Sequence, residues 1–195
     1  ACRRLGVGVA SPPFAHLHVA SSHSLRYGAT LPELLVQRSA ELGQSIVALT
    51  DRDGLYAAVR WVRECSRLGI RPVLGVDIAV EATQAARVHP DVQARTPARG
   101  GRWIDETRPR VLLLATGSRG WASLCRLVSA AHIGDHTARG EPWVPWSALR
   151  EHSEGIVVIL GADSEVGRYL ADERVTLAEA ATRPWRAVFD RYLAI

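Results

Sequence analysis

The chain has 195 residues, 47% of them hydrophobic and 23% charged, a globular composition that excludes a fibre or a disordered segment and fits one well-filled domain. Its net charge of +4 and pI near 9.4 allow a non-specific attraction to nucleic acid and specify nothing more. No run of 18 apolar residues and no apolar signal region occurs, so the chain reads as a cytoplasmic protein without a membrane span.

In chain order, Phe14 to Val19 reads as a short buried strand, and Leu31 to Leu42 as a helix with Pro32 in its first turn. Ile46 to Thr50 is a second strand. Leu55 to Leu68 is a helix with a Val59, Val62 and Leu68 stripe, stopped by Gly69. Pro72 to Val80 is the third strand. The segment 81–109 is rich in Ala, Arg, Gly and Pro, carries no apolar period and reads as a loop or insertion.

Val111 to Ala115 is a fourth strand, followed by a helix over Gly120 to Ile133 with Trp121, Leu124, Leu127, Val128 and Ala131 on one face. A short helix near Ser147 to Glu151 precedes the strand Ile156 to Leu160, apolar throughout as if buried on both faces. Helices around Glu165 to Asp172 and Thr176 to Tyr192 end the chain. Strands alternating with helices predict parallel βαβ units and an α/β barrel, and no GxGxxG or P-loop marks a nucleotide fold. Such a barrel needs about seven or eight strands, so the five expected here leave it incomplete. The opening Ala1-Cys2-Arg3, with no Met, reads as a processed product or a fragment. The three cysteines, Cys2, Cys65 and Cys125, are far apart with no CxxC, which fits neither a disulfide framework nor a zinc ribbon.

Chemistry concentrates at His16-Leu17-His18. Alternate residues of a strand share a face, so the two imidazoles would stand about 7 Å apart at their Cα atoms. Barrel sites lie at the C-terminal strand ends, where Asp51 and Asp77 also fall, and imidazoles with carboxylates suit Zn, Mn or Fe. Metals so held would activate water for phosphoester hydrolysis. The alternative is that the histidines are hydrogen-bonded core or surface residues.

The run Phe14 to Gly28, with His16-Leu17-His18 and Gly28-Ala29, resembles the opening of the polymerase-and-histidinol-phosphatase (PHP) domain of bacterial C-family DNA polymerases. Ala48 to Tyr56, with Thr50-Asp51-Arg52-Asp53-Gly54, looks like the error-prone branch of the DNA polymerase III alpha subunit. Gly69 to Gly75, Leu112 to Ala115 and Trp121 to Ser129 match in the same order, so the resemblance spans most of residues 14–161. It implies a PHP-type distorted (β/α) barrel over 1–195 as one domain. It also implies a metal site of His16, His18, Asp51 and Asp77, vestigial or weak, that would take Zn or Mn if competent.

Other positions of that pattern depart from it: Ala20 stands for a third His, Tyr27 for an Asp, Arg52 for the His after Asp51, and Arg110 for a His before the Leu112 strand. All 24 basic residues are Arg, a skew that fits a GC-rich coding sequence, so most read as solvated charge. Arg52 and Arg110 are different. A guanidinium cannot ligate a metal, and the two would supply a metal's positive charge by pairing with Asp51 and Asp77, unless both simply face solvent. His23, among Ser21, Ser22 and Ser24, lacks a third member for nucleophilic catalysis; His89, His132, His136 and His152 read as surface residues. Trp143 and Trp146, between prolines, form a candidate interaction surface.

The resemblance thus implies the N-terminal PHP domain, or a truncated relative, of an error-prone polymerase in damage-tolerant synthesis, itself non-catalytic and structural. Its partners would be a downstream polymerase region or other replication and repair proteins, and DNA. Two alternatives stay open: a stand-alone metal-dependent phosphoesterase, and a non-catalytic protein or DNA interaction module.

Overall fold

In the computed structural model, which describes residues 14–83, 108–134 and 141–195, the first helix is α1 (Pro32–Glu41). Pro32 opens it where a missing N–H costs no hydrogen bond. Strand β1 (Ile46–Arg52) follows, then α2 (Ala58–Leu68), closed by Gly69 at φ +68°, a left-handed conformation that glycine adopts freely. The face that α2 buries is Ala58, Trp61 and Cys65, at helical spacing. Val59, expected in the stripe, is 72% exposed instead. Trp61 is the largest fully buried side chain and therefore outweighs the smaller valines in setting the helix's rotation.

Strand β2 (Arg71–Val80) leads to β3 (Arg110–Ala115), α3 (Gly117–Ile133), the two-residue β4 (Trp143–Val144) and α4 (Trp146–Glu151). Strand β5 (Ile156–Ile159), α5 (Glu165–Ala171), α6 (Val175–Phe189) and the short β6 (Leu193–Ala194) complete the described chain. Residues 84–107, the body of the expected loop or insertion, lie outside the described residues, as do Cys2, His89, Trp103 and His136.

The sheet runs β1-β2-β3-β5-β6, with β4 beside the end of β2, and the order does not close on itself among the described residues. β1 and β2 are parallel, as are β5 and β6, but β2–β3 and β3–β5 are antiparallel. The all-parallel expectation is thus corrected to a mixed α/β sheet. An apolar run carries no direction, and a parallel neighbour needs a long crossover, usually a helix, of which the sequence of 81–109 carries no apolar period as a sign.

Strand register sorts the side chains onto two faces. Leu49, Leu74, Val76, Ile78, Leu113 and Val158 lie under the helices, where they pack with Leu124, Leu127, Leu149 and Val166 on one side and Val36 and Trp61 on the other. Each fully buried aliphatic chain among them stabilises the fold by about 2 kcal/mol; Leu74 is only partly buried. Alternation sends Arg52, Asp77 and Arg110 to the opposite face: Arg52 is the register partner of Asp77, and Arg110 lies two residues from Leu112, Asp77's partner on β3. Along β5 only Ile156 and Val158 are fully buried and Val157 and Ile159 are half-buried, so the strand is covered mainly on one face.

Candidate functional site

The expected strand at 14–19 is an extended strap held by a single parallel bridge, His16 with Val47. The amide of Ala48 donates to the His16 carbonyl at 2.9 Å, and that of Thr50 to the Val19 carbonyl at 2.9 Å. The strap then leaves the sheet, because the Val19 amide donates to the Thr50 hydroxyl at 2.8 Å, not to a backbone partner. His16 and His18 are both exposed, and the His16 ring lies edge-on to Phe14 with centroids 4.7 Å apart.

Beyond the strap, the loop 21–30 is organised around the carboxylate of Asp51, which is 1% exposed. The Ser21 amide donates to Oδ1 at 2.6 Å, the Ser24 hydroxyl to Oδ1 at 2.7 Å and the Ser21 hydroxyl to Oδ2 at 2.8 Å. The Ser24 hydroxyl in turn accepts the Arg52 amide at 2.9 Å, so the loop is stitched to β1 at two successive residues. Gly28 closes the loop against Ser21, and a Cβ there would collide with the Ser21 carbonyl. Register places Asp51 opposite Val76 on the helix side of the sheet, the reverse face from Asp77.

On that reverse face the central group is Arg110, with its side chain 9% exposed. Its Nε donates to Asp77 Oδ1 at 2.8 Å, and its Nη2 donates both to Asp53 Oδ1 and to the Asp77 carbonyl, each at 2.8 Å. Its backbone amide donates to the Asp163 carbonyl at 3.0 Å. Asp53, just past β1, holds φ +59°; its amide donates to the Asp77 carbonyl, and His132 Nε2 lies 2.6 Å from its own carbonyl. Arg52 lies 3.9 Å above the Tyr27 ring, a cation–π contact, with its Nε 3.8 Å from Asp53 Oδ2.

His18 Nε2 stands 3.6 Å from Asp77 Oδ2, a charge contact too long for a hydrogen bond. The facing Asp77 carboxylate, opposed by partial burial, raises the His18 pKa above its ordinary 6.5. For Asp77, burial alone pushes the pKa up, but His18 and the Arg110 guanidinium outweigh it and hold the carboxyl below its ordinary value. Burial likewise works against the charge on Arg110, and the two carboxylates it grips reverse that, leaving its pKa raised.

Of the four expected ligands, the structure brings His18 and Asp77 together, turns Asp51 to the other face, and leaves His16 on the exposed strap beside Phe14. The residues do not fit a divalent ion: Asp51 has its oxygens committed to three donors, and an ion on Asp77 must displace a guanidinium that cannot itself ligate metal. Among the described residues no group of three or more His, Cys, Asp or Glu is arranged to hold a metal.

The expectation that the two arginines pair with Asp51 and Asp77 is corrected in its partners: Arg110 takes Asp77 and Asp53, Arg52 takes Tyr27 and Asp53, and neither faces bulk solvent. Ser21, Ser24 and Asp53 were not singled out from the sequence. The available signals were the Ser21-Ser22-His23-Ser24 cluster ahead of a glycine and a second acid two residues after Asp51. Trp146, expected on an interaction surface, is a core residue 4.5 Å from Trp185 between centroids, while Arg108 covers the Trp143 ring at 4.2 Å.

The PHP domain family matches residues 16–195. An error-prone DNA polymerase of Mycobacterium tuberculosis is 37% identical over 152 residues, covering 78% of this chain and 12% of that protein. A DNA polymerase III subunit alpha of Caulobacter vibrioides is 30% identical over 181 residues, covering 92% of this chain and 14% of that protein. The chain therefore spans about one-eighth of the length of the curated relatives it matches. Among solved structures, an amidohydrolase of Chromobacterium violaceum superposes with a TM-score of 0.48 at 14% identity, covering 86% of this chain and 74% of that one. With the family matched over nearly all of the chain and the polymerase relatives aligned to most of it, this protein belongs to the PHP domain family and is homologous to error-prone DNA polymerase.

Proposed function

We propose that the chain is the N-terminal PHP domain, or a truncated relative, of an error-prone DNA polymerase that serves damage-tolerant synthesis, and that the domain itself is structural and non-catalytic. The observation that carries this reading is the buried Arg110 guanidinium between Asp77 and Asp53. Metal-assisted phosphoester hydrolysis needs carboxylates free to bind cations and activate water. Here Asp77 is gripped by an arginine and Asp51 by two serines, so His16, His18, Asp51 and Asp77 are vestigial as ligands. In this reading the domain works in the cytoplasm as a support for an adjoining polymerase region or other replication and repair proteins. DNA contact, if made, runs through phosphates and weakens with salt.

The test is turnover of p-nitrophenyl phosphate by the purified chain with added Zn²⁺ or Mn²⁺. Turnover no faster than buffer is expected. Metal-dependent turnover that His18→Ala or Asp77→Asn abolishes would replace this reading with a phosphoesterase.

A further inference from the structure

We infer that Arg110 is the resident cation of this centre: its guanidinium locks together the ends of β1, β2 and β3 through Asp53 and Asp77 and makes folding independent of any divalent ion. The inference rests on the proposed non-catalytic reading and extends it by assigning the residue that holds the centre and its second carboxylate, Asp53, in place of Asp51.

The geometry is specific to a guanidinium. One fork reaches two carboxylates and a carbonyl that lie 57 and 33 residues away in sequence, all at 2.8 Å. The planar donors divide the work, with Nε on Asp77 and Nη2 on Asp53 and the Asp77 carbonyl. An ammonium on a flexible stem is a point donor without that fork. The cation is also fixed from behind, since its own amide is held by the Asp163 carbonyl. Asp53 is presented to it from a left-handed backbone position, φ +59°, stabilised by the Asp53 amide on the Asp77 carbonyl. The same carbonyl thus accepts from Asp53 and from Arg110, so the three strand ends share one hydrogen-bonded node.

Two like charges remain when such a cation is removed, and this gives the inference a distinctive signature. Thermal unfolding of the 195-residue chain is compared for the wild type, Asp53→Asn, Arg110→Met and the double variant. Arg110→Met is expected to lower Tm by about 10 °C, the range for breaking a buried ion pair in a chain this size. Asp53→Asn lowers Tm in the wild type but has no effect, or raises it, in the Arg110→Met background. Equal losses from Asp53→Asn in both backgrounds overturn the inference, as does a wild-type Tm that falls in EDTA and returns with Zn²⁺. Should Arg110→Met fail to fold, Arg110→Gln, which also removes the charge but keeps a polar side chain, takes its place in the cycle with the same two outcomes. Additivity without phosphatase turnover overturns this inference alone, whereas metal-dependent turnover overturns the reading beneath it.

Discussion

Asp51 and Asp53 stand two residues apart at the end of β1 and have unrelated partners. Asp51, buried, fixes the 21–30 loop through Ser21 and Ser24; Asp53 reaches the far face and meets Arg110. Asp51→Ala strands two buried hydroxyls and an amide, so a loss of about 3 kcal/mol is expected in denaturant unfolding. Arg52→His adds an imidazole without freeing Asp77 or Asp53 from Arg110, and metal content measured by mass spectrometry is expected to stay unchanged. His18 binds its proton more tightly folded than unfolded, because Asp77 faces it. Its contribution is therefore fully present below pH 6.5 and is lost as pH rises through the raised folded value. The side chain is 55% exposed, so the effect is small: the Tm advantage of wild type over His18→Gln at pH 6 is expected to shrink by pH 8. The pairing of Asp53, not Asp51, with the arginine was not legible in the sequence. The β1 pleat turns Asp51 to the helix side, and the left-handed residue just past the strand sends Asp53 to the opposite face; composition records neither.

At the scale of elements, the helices and long strands follow from local pattern. α1 begins at Pro32, α2 is capped by Gly69, β2 starts one residue before the expected Pro72, and β1 runs two residues past the expected Thr50 to take in Asp51 and Arg52. What local pattern left open was direction and rotation. The apolar β3 run fits either direction; it lies antiparallel to both β2 and β5, with Leu113 opposite Val76 and Val158. The His16-Leu17-His18 alternation reads as a strand, yet only one bridge forms there, because Thr50 answers the Val19 amide with its side chain. On α2, Trp61 sets the buried face, and Trp61→Ala is expected to cost about 4 kcal/mol in urea unfolding, whereas Val59→Ala is nearly neutral.

For the whole molecule, the open mixed sheet packs its helices on one face and leaves on the other a charged centre closed by a side chain. The motifs at His16, His18, Asp51 and Asp77 made the PHP family legible, and that family is what the comparisons show. Those motifs could not show whether the centre still takes a metal, since this depends on where Arg110 lies in three dimensions. No helix among the described residues is long and apolar enough to cross a membrane. The most direct test of the central claim, that Arg110 has taken the carboxylates a metal would need, is calorimetric titration of Zn²⁺ and of Mn²⁺ into the EDTA-treated, dialysed chain. The account predicts no saturable binding that depends on His18 or Asp77. Stoichiometric binding in the wild type, abolished by His18→Ala and by Asp77→Asn, would contradict it.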